Sequence, residues 1–138
     1  MCIRDRPKAY LSEGLALAKT RAVTSCIDSS DGLAWSLHEL ARMSRVGFEI
    51  TDIPVATSAK RFAESQKLDA NGLALYGGEE YNLIFTFNPR DIDKVSEALD
   101  GVFFKIGRVT SQTERIELKT ERRVESIKPY GWEHFKHN

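Results

Sequence analysis

Apolar side chains recur along this chain in two rhythms, first with a helical period and later with a period of two. Leu11, Leu15 and Ala18 fall at helical spacing and predict a helix over roughly 9–19. Residues 22–27 (Ala-Val-Thr-Ser-Cys-Ile) are short, apolar and β-branched, as in a buried strand. That strand ends abruptly in Asp28-Ser29-Ser30-Asp31-Gly32. Leu33, Leu37, Leu40 and Ala41 then form one apolar stripe, with Ser36, Glu39 and Arg42 on the polar side, and this is the strongest helix in the pattern. Residues 46–51 predict a second strand, closed by Ile53-Pro54. Thr57 is placed to cap a third helix reaching about residue 66.

Beyond residue 80 the period changes. Tyr81, Leu83, Phe85 and Phe87 alternate with Asn82, Ile84 and Thr86, predicting a strand that Asn88-Pro89 stops. Ile92, Val95 and Leu99 give a short helical stripe, and Asp100-Gly101 turns the chain into a strand predicted over 102–109. Residues 115–119 and 122–127 alternate again and predict a hairpin. Helices interleaved with strands, then closing strands, indicate an α/β (α+β) layered sandwich, a mixed β-sheet packed by helices. No repeat, linker or low-complexity tract divides it.

Composition narrows the functional classes. A chain of 138 residues with 41% hydrophobic and 29% charged side chains is sized for one core. Twenty basic and twenty acidic side chains leave no net charge, so no basic excess marks a nucleic-acid partner. No apolar run approaches the roughly 18–20 residues that span a bilayer. Cys2 and Cys26 are too few for a four-thiolate zinc site or a disulfide framework, which fits a reducing cytoplasm. Residues 1–6 are charged and lack an apolar run behind them, so they are no secretory signal. They are expected to be a non-native leader, with the gene beginning upstream and residues 7–138 forming the domain.

Three features carry candidate chemistry. In Asp28-Ser29-Ser30-Asp31-Gly32, at a strand-to-helix junction, free backbone N–H groups and the positive helix end suit a phosphate. The two carboxylates, with hydroxyls between them, are hard oxygen ligands suited to Mg²⁺. A simpler reading is preferred on composition alone: Ser30 or Asp31 caps the helix, Asp28 makes an Asx-turn and Gly32 eases the bend. Gly77-Gly78-Glu79-Glu80 delivers a carboxylate at a strand start, where Glu79 can accept a hydrogen bond or face a cation, or simply be solvated. The tail Pro129-Tyr130-Gly131-Trp132-Glu133-His134-Phe135 is dense in aromatics; Tyr130 and Phe135 are expected to dock, leaving Trp132 to meet a ring or cation. His38, His134 and His137 show no metal-ligand spacing, and His38 is expected on the helix surface. Neither a P-loop nor a dinucleotide-binding glycine motif is present.

Together these residues resemble thiamine-monophosphate kinase. The resemblance runs through Cys26-Ile27-Asp28-Ser29-Ser30-Asp31-Gly32-Leu33, Val46-Gly47-Phe48-Glu49-Ile50, Gly77-Gly78-Glu79-Glu80-Tyr81-Asn82-Leu83, Lys105-Ile106-Gly107-Arg108-Val109 and Gly131-Trp132-Glu133-His134-Phe135. It implies the C-terminal α/β domain of a two-domain enzyme of the aminoimidazole ribonucleotide synthetase superfamily. Such an enzyme moves the γ-phosphoryl of ATP onto thiamine monophosphate, giving thiamine diphosphate, with Mg²⁺ between the phosphates. By resemblance, Asp28 and Asp31 are metal ligands, Ser30 contacts ATP, and Glu79 and Trp132 hold the thiamine moiety. The chain departs from the family at Glu80, Asn82 and Arg45, which replace the usual aspartate, glutamate and glycine. The family's N-terminal domain, which brings most metal ligands and the dimer contact, has no counterpart here, so the chain alone is expected to be inactive. Another enzyme of that superfamily using ATP, or a ligand-binding domain without chemistry, are the competing readings.

Overall fold

The computed structural model describes residues 8–121 and 123–131. Along the chain run α1 (Leu11–Thr20), β1 (Val23–Asp28), α2 (Leu33–Ser44), β2 (Gly47–Ile50), α3 (Thr57–Gln66), α4 (Ala70–Tyr76), β3 (Leu83–Phe87), α5 (Ile92–Ala98), β4 (Gly107–Thr110), β5 (Ile116–Lys119) and β6 (Val124–Ser126). The layered α/β architecture is as expected, but its strands divide between two sheets. β1 pairs antiparallel with β3, while the others form a mixed sheet in the order β4-β2-β5-β6. In that sheet β2 is antiparallel to β4 and parallel to β5, and β5 is antiparallel to β6, the predicted hairpin.

The main core lies beneath α2. Ala34, Leu37, Leu40 and Ala41 cover Phe48 and Ile50 of β2, Ile116 and Leu118 of β5, and Ile127, all buried. Each fully buried leucine or isoleucine contributes about 1.5–3 kcal/mol of transfer free energy, so this layer dominates the fold. A smaller cluster joins Leu17 of α1, Ala22 and Val95 of α5 to Leu83, Phe85, Phe87 and Phe103. Ile27 and Ile84 face the first cluster while Val23, Leu83 and Phe85 face the second, so the β1–β3 pair is a plate between them. Outside the four-stranded sheet, Glu49 bridges Arg108 at 3.0 Å and Lys119 at 3.8 Å, and Arg115 holds Glu117 at 2.6 Å.

Several local expectations are corrected. Leu11 and Leu15, which mark α1 in the pattern, are 70% and 54% exposed, and Leu17 is the side chain α1 buries. Ala56, not Thr57, occupies the N-cap of α3, with no side-chain bond there. The stretch 102–106 is irregular and only Gly107–Thr110 is strand, because Val102 (77%) and Phe104 (73%) face out while Phe103 alone turns onto Phe85 and Phe87. β3 starts at Leu83 rather than at Tyr81, whose φ of 56° cannot continue an extended strand. Ser36, expected on the polar side of α2, is 2% exposed. The short helix α4, without a marked apolar stripe, begins at Asp69, whose carboxylate accepts from the N–H groups of Asn71 and Gly72.

Candidate functional site

β1 carries Asp28 to the edge of the plate, where it pairs with Leu83. Ser29 follows, buried, and its N–H donates to the Asn82 carbonyl at 2.9 Å while its own carbonyl accepts from Tyr81 N–H at 3.0 Å. The Ser30 carbonyl accepts from Glu79 N–H at 2.7 Å. Three main-chain bonds therefore staple the Asp28–Gly32 loop to the Gly77–Asn82 loop. The staple bends the second loop sharply, since Glu79 and Tyr81 both take left-handed φ, 68° and 56°. Such backbone costs on the order of 1–3 kcal/mol per residue unless its surroundings hold it.

Glycine makes the approach possible. Gly32 sits at the N-cap of α2 with φ 107°, and a Cβ there would lie 2.8 Å from the Gly77 carbonyl oxygen. Neither Ser30 nor Asp31 caps α2, contrary to the simpler reading of this loop. Instead the Ser30 hydroxyl donates to Asp31 Oδ2 at 3.1 Å, and the Ser36 hydroxyl reaches back from α2 to the Asp28 carbonyl at 3.0 Å. Ser36 is buried because its hydroxyl closes the end of β1. Gly131 lies against the Asp31 carbonyl and Trp35, so the C-terminal segment also arrives at this loop.

The structure thus brings Asp28, Ser30, Asp31 and Glu79 together. Asp28 is exposed, and Ser30, Asp31 and Glu79 are half-buried. Among the described residues, neither Asp28 nor Asp31 enters an ion pair. Partial burial and the charge of Asp28 push the Cys26 thiol pKa up, so that thiol stays protonated at neutral pH. No group of three or more histidine, cysteine or acidic side chains able to hold a metal occurs among the described residues. Two carboxylates and a hydroxyl suit Mg²⁺, which takes one or two carboxylates and completes its shell with phosphate oxygens and water. Trp132 and Phe135 lie outside the described residues. Tyr130 stays 65% exposed and meets only the edge of the structure, its ring 6.2 Å from that of Tyr76. Trp35, which pattern reading passed over as part of a helix, is 40% exposed beside this loop. Its position four residues after Asp31, on the same flank of α2, is the signal that marks it.

Thiamine-monophosphate kinase of Pyrococcus abyssi is 38% identical over 130 residues, 93% of this chain and 38% of that protein. The enzyme of the same name from Nitrosopumilus maritimus is 36% identical over 119 residues, 84% of this chain and 37% of that protein. The chain resembles thiamine-monophosphate kinase over nearly its whole length. It spans less than two fifths of those two curated relatives. Among solved structures, AaThiL complexed with AMPPCP and TMP superposes with a TM-score of 0.60 at 24% identity, covering 93% of this chain and 44% of that one. The hydrogenase maturation protein HypE of E. coli reaches 0.72 at 19% identity, covering 91% and 41%. These two likenesses establish the fold. No family model matches. No helix among the described residues is long and apolar enough to cross a membrane.

Proposed function

We propose that this chain is the C-terminal part of an ATP-dependent kinase that phosphorylates thiamine monophosphate to thiamine diphosphate. The observation that carries the reading is the stapled pair of loops, which joins the two motifs most characteristic of the kinase resemblance at one helix N-terminus. The named relatives and the complex of AaThiL with AMPPCP and TMP support the substrates. HypE shares the fold, so the fold by itself does not choose the substrate; Glu79 and Trp132 do, as a carboxylate and an aromatic face suited to a cationic ring.

Phosphoryl transfer is chiefly a matter of positioning and charge neutralisation. In this reading Asp28 and Asp31 hold Mg²⁺, which when bound offsets the negative charge of the phosphates. Ser30 orients the nucleotide, and the first-turn amides of α2, which have no partner within the helix, face its phosphate oxygens. Glu79 and Trp132 hold the thiamine end. An N-terminal domain brings the remaining metal ligands, so residues 7–138 alone do not turn over, and the complete enzyme is a cytoplasmic homodimer. The exposed Leu11, Leu15, Val102 and Phe104 support a further covering element.

Asp28→Asn tests this. Asparagine keeps the size of Asp28 and removes a charge that no ion pair offsets among the described residues, so the metal-free variant should melt at the wild-type temperature or slightly above. In the complete kinase the same change should cut turnover at least about tenfold at every Mg²⁺ concentration, an amide being the poorer ligand for a hard cation. A wild-type rate throughout the Mg²⁺ titration removes Asp28 from the site.

A further inference from the structure

α2 directs two polar side chains at main-chain carbonyls, and they serve different parts of the fold. His38, expected on the helix surface, is half-buried, and its Nε2 donates to the Ile127 carbonyl at 2.9 Å. Ser36 holds the Asp28–Gly32 loop from both ends. Its hydroxyl donates to the Asp28 carbonyl at 3.0 Å, and its N–H donates to the Gly32 carbonyl at 3.1 Å. At 2% exposure it makes both bonds away from water, and only the first depends on the side chain.

The strand register explains why the Asp28 carbonyl needs this partner. Ser29 N–H bonds the Asn82 carbonyl, so residues 29 and 82 form a hydrogen-bonded pair of the antiparallel ladder. Asp28 and Leu83, one step earlier, are therefore a non-hydrogen-bonded pair, and the Asp28 carbonyl points away from β3. Among the described residues β3 is the only strand beside β1, so no strand receives that carbonyl. The Ser36 hydroxyl does. The next two carbonyls, of Ser29 and Ser30, are taken by the N–H groups of Tyr81 and Glu79. The exposed Asp28 carboxylate enters no ion pair among the described residues, so its own main chain sets its direction.

We propose that Ser36 is a positioning residue for the metal, and that it favours Mg²⁺ over larger divalent cations. Mg²⁺ demands near-ideal octahedral geometry with oxygens at about 2.0–2.1 Å, whereas Ca²⁺ accepts irregular shells at about 2.3–2.6 Å. A carboxylate on loosened main chain therefore costs Mg²⁺ more than Ca²⁺. This deepens the kinase reading and rests on its assignment of Asp28 to Mg²⁺.

The test follows the backbone amide signals of residues 28–32 by NMR while the chain is titrated with Mg²⁺–ATP and, separately, with Ca²⁺–ATP. Ser36→Ala should weaken the Mg²⁺ complex roughly fivefold, the worth of one neutral hydrogen bond, and leave the Ca²⁺ complex within about twofold. Ser36→Thr, which keeps a hydroxyl, should restore the wild-type ratio. Ser36→Cys, similar in size but a weak donor, stands in if Ser36→Ala does not fold. Leu40→Val lowers stability through the core side of the same helix and should leave both affinities unchanged. Equal weakening of both complexes, weakening of neither, the same split in Leu40→Val, or no rescue by threonine overturns the positioning role. A wild-type chain whose loop amides respond to neither complex overturns the assignment of Asp28 beneath it, and the proposal falls with it.

Discussion

Two parts of this molecule carry carboxylates on main chain of similar order, and they treat them oppositely. On the outer face of the four-stranded sheet the acids meet cations, Glu49 across strands to Arg108 and Lys119 and Glu117 to Arg115 two residues before it. At the Asp28–Gly32 loop the backbone is held by three main-chain bonds and the Gly32–Gly77 approach, while Asp28 and Asp31 enter no ion pair among the described residues. The sheet face is electrostatically finished. The loop is rigid in its backbone and open in its charge, as a site for a cationic or cation-bearing ligand should be.

The comparison breaks most severely at Gly32. Gly32→Ala places a Cβ 2.8 Å from the Gly77 carbonyl at a φ of 107°, so it should cost about 3 kcal/mol or more and lower the urea midpoint accordingly. A fall of under about 1 kcal/mol would mean that the two loops separate freely. The next test compares charges. Glu49→Gln should cost about 0.5–1 kcal/mol at low salt, and most of that loss should vanish near 1 M salt, because Arg108 and Lys119 are largely exposed. Asp31→Asn, without metal, should be neutral or slightly stabilising, and a loss equal to that of Glu49→Gln would erase the distinction between the regions. The smallest effect lies at the start of α1. There the hydrogen bond from Lys8, at 2.8 Å, and a second from Ser12 hold the Glu13 carboxyl pKa down to about 2. Because the folded value is depressed, this contribution is complete above pH 4.5 and is lost as pH falls through about 2. A carboxyl NMR titration should show Lys8→Ala returning Glu13 most of the way toward its ordinary value.

The candidate residues are more legible in the sequence than their assembly. Asp28, Ser30, Asp31 and Glu79 stand out by residue type and by their junctions with predicted strands. That the two motifs touch depends on the Asp28–Leu83 register and on Gly32 meeting Gly77, which are long-range facts no local pattern encodes. Local periodicity also misled where burial and pattern part company. The Leu11–Leu15–Ala18 repeat is real but faces outward, and Ser36 is inward because its hydroxyl closes β1. Residues 102–106 are mostly apolar, but the Val102 and Phe103 N–H groups bond back to Leu99 and Gly101 rather than to a strand, so the stretch remains irregular.

The order of strands in the mixed sheet has a consequence for how the chain is made. β2, one of its two inner strands, ends at Ile50, and β4, which borders it on one side, does not begin until Gly107, 57 positions later. β5, on the other side, is later still. At a translation rate of 5–20 residues per second, β2 waits roughly 3–11 s for its first neighbour to be synthesised. Throughout that interval α2 and β2 can pack on each other but lack Ile116, Leu118 and Ile127, and the unpaired edges of β2 are open to other chains. Folding of this domain therefore completes only after β4, β5 and β6 have been made, and a ribosome stalled before residue 107 should hold a nascent chain dependent on chaperones.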